Sequence, residues 1–502
     1  MSFRTALAAA ACLLGTFAIA TAASSTASAA DLTWGGTYRA EGNWIKNPEL
    51  GGPESNKAYL LHHLILAPKL IAADGITIYS RLDVLNNSGF GITPTGQVNS
   101  VAGDTLGNGP GGIGGGAAAG GTSTTDSNPM SRTQNASTIA LTSIYLSWAQ
   151  EFGQLVVGRT PIHFGLGTAF NAGTGLFDHF IDTKDMIGYK LVFGNLSVFP
   201  MLGKVTENNL GAGDDINDYI LHAQYDNPET ELSMGAIYQL RTVGTAGNDL
   251  PLNGSIGGTP ADGTPGTAIN PPTRTTGGNT SLIGGFIKRK VRDFTIGVEG
   301  DFLSGKTGLT SSTGEEVEIS AYGVAAEVGW ARESSKLSGN LKFGIASGDD
   351  PTTAKYEGYQ FSRNYDVALL MFNHQLGQRD FLRTGALTGR TGAISASNTI
   401  DDEAVSNVMY LAPSLQYQWK DTLSFGGTVA YGILNEDPIP NGDTSTDLGF
   451  ELDLNLTWKP YERLTWITQA GFLFPGSAWQ GGSLGLDNSF AYGLVTKAAI
   501  SF

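Results

Sequence analysis

Residues Leu448 to Lys459 read LGFELDLNLTWK. Along an extended chain, Leu448, Phe450, Leu452, Leu454, Leu456 and Trp458 fall on one side. Gly449, Glu451, Asp453, Asn455, Thr457 and Lys459 fall on the other. A period of two is the strand period. One face is wholly apolar and the other almost wholly polar, which suits a wall between lipid and water. One side of a soluble sheet would read the same way. The C-terminal FAYGLVTKAAISF repeats the pattern, with Phe490, Tyr492, Leu494, Thr496, Ala498, Ile500 and Phe502 on one face. LTWGGTYRAEGNW from Leu32, MYLAPSLQYQW from Met409 and LSFGGTVAYGI from Leu423 do the same.

The connections separate the two readings. Strand-like runs start near residues 32, 58, 75, 137, 154, 186, 195, 216, 230, 280, 293, 316, 336, 404, 421, 446, 462 and 487. That is about eighteen strands, with sixteen as the alternative because the runs near 137, 195 and 280 are ambiguous; both fall in the range of bacterial outer-membrane barrels. The segments between them alternate. The long ones are 46–56, 87–136, 165–185, 205–215, 243–279, 304–315, 348–403, 435–445 and 476–486. The short ones are AADG (72–75), EFG (151–153), GN (194–195), DNPET (226–230), VRD (291–293), RESSK (332–336), KD (420–421) and KPYER (459–463). A soluble sandwich has no reason to gather every long loop at one end. A transmembrane barrel does, with short periplasmic turns and long extracellular loops. Trp34, Trp148, Trp330, Trp419, Trp458 and Trp466 fall near the short-turn ends, and Trp44 and Trp479 near the other, as two interfacial girdles would.

Composition agrees. The 502 residues include 69 Gly, with 10% aromatic and 15% charged residues. The net charge of −16 excludes a nucleic-acid partner. Residues 1–30 read as a secretory signal peptide: Arg4, the apolar ALAAAACLLGTFAIA, then SAA before Asp31. The single cysteine, Cys12, lies within it, so no disulfide is available to 31–502, which read as one barrel domain. No stretch of 18 apolar residues follows, so a membrane span has to be made of strands. The low-complexity stretches 107–125 and 258–278 fit flexible loops.

The motifs of soluble enzymes are empty here. GDFLSGKT (Gly300 to Thr307) matches a phosphate-binding loop in letters, but GLTSSTGEE after it is no helix. GPGGIG (109–114) matches a dinucleotide fingerprint in the same sense. The histidines His62, His63, His163, His179, His222 and His374 show no catalytic spacing, and His62 and His63, as strand neighbours, face opposite ways. The reading is a non-enzyme without a cofactor. The acidic clusters SGDDP (347–351), DDE (401–403) and NEDPIPNGD (435–443) offer oxygen ligands for Ca2+ or plain solvated charge, which leaves metal binding open.

Alternation points a set of charges inward as pore-lining candidates. The cationic or imidazole members are Arg39, Lys69, Arg81, Arg159, His163, Lys190, Arg241, Lys342 and Lys497. The acidic members are Glu41, Asp83, Glu231, Glu299, Asp301, Glu327, Glu451 and Asp453. Opposed charges across water tune which solutes pass; salt-bridged pairs that only stiffen a wet wall would read alike.

The segment SGDDP, the run LGFELDLNLTWKPYERLTWITQAGFLFPGSAW, and the motifs GTYRAEGNW and LVVGRTPIHFGLG together resemble the alginate-export-like family of outer-membrane porins. The resemblance implies an eighteen-stranded channel that passes a solute without chemistry. That family's polysaccharide exporter has an electropositive pore, whereas this inward set holds as many carboxylates as cations. The expected function is passive diffusion of small hydrophilic solutes or ions. The alternatives are export of an acidic polysaccharide and a plugged-barrel receptor or adhesin. The expected partners are the lipids of a Gram-negative-type outer membrane and the barrel-insertion machinery, which the terminal strand ending in Phe502 would address.

Overall fold

A computed structural model describes residues 30–51, 55–89, 139–206, 215–244, 273–274, 277–310, 316–350, 353, 355–377, 404–437, 445–480 and 487–502. Residues 1–29, all of 107–125, nearly all of 258–278, the cluster 401–403 and residues 438–443 of NEDPIPNGD lie outside these residues.

All strands belong to one sheet of twenty-two β segments, twenty of which make up the eighteen strands of a closed antiparallel barrel. β1 runs Asp31–Thr33 and Gly36–Lys46, and β2 runs Asn56–Leu66 and Lys69–Ala73, each kinked between its two pieces. Then follow β3 (Ile76–Gly89), β4 (Ile139–Gln150), β5 (Gly153–Pro161), β6 (Thr183–Phe193), β7 (Leu196–Thr206), β8 (Ile216–Asn227) and β9 (Leu232–Val243). β10 is Gly278–Val291, β11 Phe294–Thr310, β12 Glu316–Ala331, β13 Leu337–Ala346 and β14 Val408–Lys420. β15 is Leu423–Leu434, β16 Asp447–Tyr461, β17 Leu464–Pro475 and β18 Ala491–Ser501. Thr273–Arg274 and Lys355–Tyr356 are short pieces within loops, pairing with Leu309–Thr310 and Glu318–Ile319.

β18 closes on β1, from Thr37 opposite Ser501 to Lys46 opposite Tyr492. Phe502 and Gly36 exchange backbone hydrogen bonds of 3.0 and 3.1 Å at the end of this seam. A side chain at Gly36 would meet the Phe502 ring and the Ile65 carbonyl, so glycine is required there. With no free edge, every wall strand has two neighbours, as a membrane demands. The outer face is apolar: Leu452, Leu454, Phe425, Leu411, Phe343 and Ile283 are all exposed, as are Trp34, Trp148, Trp419, Trp458 and Trp466 at the short-turn end. No described helix is long and apolar enough to cross a membrane. This is a transmembrane β-barrel.

Two details differ from the strand pattern. Leu448 is fully buried instead of sharing the outer face of Leu452 and Leu454. The register slips between Gly432 and Ile433, leaving Leu448 as the extra residue of a bulge, and Gly449 takes φ +88 beside it. Trp479 is no girdle residue either. It is 3% exposed on a short 3-10 turn, Ser477–Gln480, and its indole donates to the Leu448 carbonyl at 2.9 Å. GDFLSGKT lies wholly inside β11, and Lys306 pairs with Glu316 at 2.9 Å, so no phosphate loop exists there.

Candidate functional site: two loops inside the barrel

Two long connections turn inward. The first, 162–182, joins β5 to β6. The second, within 347–407, joins β13 to β14, and its 355–377 segment bonds to inward-facing side chains of the wall. They are called loops A and B below.

Loop A has an apolar stretch and a polar one. Phe164, Ala169 and Phe170 are buried in a cluster with Met186, Met201, Ile220, Ile237, Leu282, Phe286 and Leu303 of β6–β11. Phe164 meets Phe286 edge-on at 5.1 Å. The polar stretch, 173–179, reaches β1 and β3. Arg39 donates to the Asp178 carbonyl at 2.5 Å, and Arg81 to the Gly173 carbonyl at 3.0 Å. Glu41 takes the His179 ring nitrogen at 2.9 Å and Arg39 at 3.2 Å, with Lys497 at 3.9 Å. His63 meets Asp83 at 2.6 Å, and Thr142 donates to the same carboxylate. His62 points the other way, on the face of Leu60, as strand neighbours must.

Loop B packs Tyr359, Phe361, Tyr365, Leu370, Met371 and Phe372 into the same core. Lys342 of β13 donates to the Asp366 carbonyl at 2.8 Å, pairs with Glu327 at 3.4 Å and lies 4.8 Å from the centre of the Tyr365 ring. Tyr410 donates to the Tyr365 hydroxyl at 3.2 Å. Burial, with Asp301 and Glu299 adding to it, pushes the Tyr359 hydroxyl well above the ordinary tyrosine value, so it stays protonated.

The loops also hold each other. Asn364 and Phe180 exchange two hydrogen bonds, 2.7 and 3.1 Å, and Ser362 N–H donates to the Thr168 carbonyl at 2.7 Å. Arg363 stacks 5.1 Å from the centre of the Phe180 ring. Between the loops and the wall of β1 and β18 lies a cavity of about 140 Å3, lined by Asn43, Phe177, Asp178, His179, Phe180, Arg363, Asn364, Asp366, Leu369, Asn373, His374, Val495 and Lys497.

The inward charges fall into three groups. Arg39, Glu41, Arg81 and Asp83 tether loop A. Arg241 is tied with Lys184 and Gln239 to the buried Asp218, at 2.8, 3.2 and 2.9 Å. Glu299, Asp301, Glu451 and Asp453 are all under 6% exposed, each beneath a loop, so Asp453 faces backbone N–H instead of open water. Lys69 lies 5.4 Å from the centre of the Tyr79 ring, Lys190 is half-buried on β6, and His163 sits on loop A beyond the end of β5. Of the whole set, only Lys497 lines the cavity directly. Glu231 is an exposed turn residue paired with Lys290.

Arg159 is a correction. It stands opposite Ile144 and Asp185. Ile144 is exposed on the outside, while Thr160 and Lys184, one residue along, are buried inward. Arg159 therefore lies on the outer face, where its guanidinium grips Asp185 through two 2.6 Å bonds. Leu155, Val156 and Val157 are apolar on both faces of β5, so alternation gave no parity. Val156 is apolar because loop A covers it.

Sequence reasoning missed the cavity residues of loop B, Arg363, Asn364, Asp366 and Asn373. They lie in an irregular segment where no periodicity marks a direction. Among the described residues, no group of three or more His, Cys, Asp or Glu is placed to hold a metal ion. Asp349 of SGDDP instead accepts the Glu357 N–H at 2.8 Å.

No family model matches the chain, and no curated protein does. Among solved structures, the chain is similar to the outer membrane protein opdK from Pseudomonas aeruginosa, with 10% identity, TM-score 0.45, and 94% of this chain and 99% of that one covered. A BenF-like porin from Pseudomonas fluorescens Pf-5 gives 10% identity, TM-score 0.46, and coverage of 94% and 99%. OccK9 (OpdG) of Pseudomonas aeruginosa gives 11%, 0.47, 94% and 99%.

Proposed function

We propose that the chain is a channel for passive diffusion of small hydrophilic solutes or ions. The observation that carries this reading is the cavity between loops A and B. It lies inside the barrel and is lined by amides, both signs of charge and two phenylalanines. A barrel of eighteen strands is wide enough for a water path, and inward loops narrow it to the size of a small solute. The pore-lining role belongs first to Lys497, with Arg363, Asp366 and Asp178 beside it. Arg39, Glu41, Arg81 and Asp83 act on permeation by placing loop A. The mature protein is one barrel domain released from a leader at 1–30, and its last strand, ending at Phe502, addresses the insertion machinery.

The second reading, export of an acidic polysaccharide, has the alginate-export resemblance in its favour. A polyanion needs a continuous cationic path, and here Asp178 and Asp366 line the cavity beside Arg363 and Lys497. The ties between Asn364 and Phe180 also join loops A and B at the edge of this cavity.

The test is purified protein in planar lipid bilayers. Discrete conductance steps are expected, with a reversal potential that moves toward cations in Lys497→Glu and moves further at low salt, where screening is weaker. A folded barrel without steps would favour the plugged receptor. Strong anion selectivity together with block by an acidic oligosaccharide would favour the exporter.

A further inference from the structure

Loops A and B are gripped by the same arrangement, built twice. On β11, Glu299 and Asp301 project inward two residues apart. Glu299 accepts the N–H groups of Leu166 and Ala169, the latter at 3.1 Å, and Asp301 accepts the Thr168 hydroxyl at 3.1 Å. On β16, Glu451 and Asp453 do likewise. Glu451 accepts the N–H groups of Leu370 and Met371 at 2.6 and 2.7 Å, and Asp453 accepts that of Leu369 at 3.0 Å. In both, a residue directly across from the aspartate on a neighbouring strand is glycine, Gly284 of β10 opposite Asp301 and Gly471 of β17 opposite Asp453. A side chain at either glycine would press on the aspartate's Oδ1. A recipe of Glu-x-Asp with a facing glycine, used at two separate places in one wall, is a built feature.

The charge in these sites is not balanced. The ion pairs of the described residues lie elsewhere, and none includes Glu299, Asp301, Glu451 or Asp453. In each pair the aspartate Oδ1 is buried and receives no hydrogen bond. The other groups facing the first pair are the Thr168 and Tyr359 hydroxyls. Thr428 stands directly across from Asp453 on β15, and Asp366, of the same sign, adds to the negative charge facing the second pair. Two carboxylates sharing a dry site cannot both ionise cheaply.

We propose that Glu451–Asp453, with Glu299–Asp301 as its counterpart, is a positioning site that holds a lumenal loop by backbone N–H groups and keeps one proton between its two carboxyl groups. The proton fills the vacant Oδ1 position and leaves one negative charge for the amides to neutralise. Its loss sets two anions side by side under the loop, so the grip fails as pH rises. The inference rests on the channel reading, since it assigns these carboxylates the width of the water path.

The test joins two readouts on the full-length, detergent-purified protein. Bilayer conductance of the wild type should at least double between neutral pH and about pH 10, as the shared proton is lost. Asp453→Asn keeps the shape, accepts from Leu369 N–H and donates to Glu451 without any proton to lose, so its rise should be much smaller. Infrared spectra at neutral pH should show a protonated-carboxyl C=O band that shrinks in Asp453→Asn and shrinks again with Asp301→Asn added. A flat wild-type pH profile, an Asp453→Asn profile that rises like the wild type, or the absence of the infrared band would each overturn the proposal. Wild-type protein that never conducts would overturn the channel reading instead, and the infrared band would then decide the clamp alone.

Discussion

Loop A rests against two walls of opposite chemistry. Against β6–β11 it meets Met186, Met201, Ile220, Ile237 and Phe286, and its own Phe164 and Phe170 disappear among them. Against β1 and β3 it meets Arg39, Glu41 and Arg81, which hold it by its carbonyls and by His179, while Asp83 holds Arg81 in place. Burial of apolar area supplies most of the attachment but no direction. The charged wall supplies direction, because a guanidinium satisfies a carbonyl only at the right distance and angle. The dry wall therefore decides whether the loop stays inside, and the charged wall decides where its tip stands in the water path.

Phe164→Ala attacks that division at its strongest point. Emptying a buried phenylalanine site costs about 3–5 kcal/mol, here against the attachment of loop A and not the barrel itself. Protease cleavage within 162–182, with the barrel still running as a folded species on a semi-native gel, is the expected result. A loop as resistant as the wild type would mean that the polar wall holds it unaided. A smaller effect is expected of Arg81→Gln. Losing a charge-assisted bond to a carbonyl removes roughly 1.5–3 kcal/mol, and the companion Asp83 keeps its bonds from His63 and Thr142. Loop A should stay protected from protease while single-channel conductance becomes noisier and the reversal potential shifts toward cations. Smallest of all is Arg159→Gln, which removes a charge from the outer face. Its reversal potential should match the wild type, although the stranded Asp185 lowers the folded yield. A shift as large as that of Arg81→Gln would return Arg159 to the lumen and make the outward register of β5 wrong.

The same contrast explains what could be read from residues alone. β16 shows its two faces because lipid asks for Leu452 and Leu454 and the interior asks for Glu451 and Asp453. The eighteen strands and the alternation of long and short connections follow from that kind of signal. On β5 the interior asks for Val156 and the lipid for Leu155 and Val157, so the signal vanishes, and Arg159 was assigned to the wrong side. Leu448 is hidden by a bulge, which adds one residue and reverses parity beyond it. The inward charges were legible as inward; that most of them would be covered was not, because the cover is irregular chain from 162–182 and 355–377. Nothing in a period of two announces that such a chain turns in and not out.

The wall grips both loops chiefly by backbone groups: Glu299 and Glu451 take amides, and Arg39 and Arg81 give to carbonyls. Every residue type but proline carries the same amide, and all carry the same carbonyl. The side chains of Asp366 and Asn373, which bond to each other within loop B, carry none of the attachment to the wall. Mutation can exchange them without unseating the loops, so this barrel can acquire a new solute preference in single steps while its architecture stays as it is.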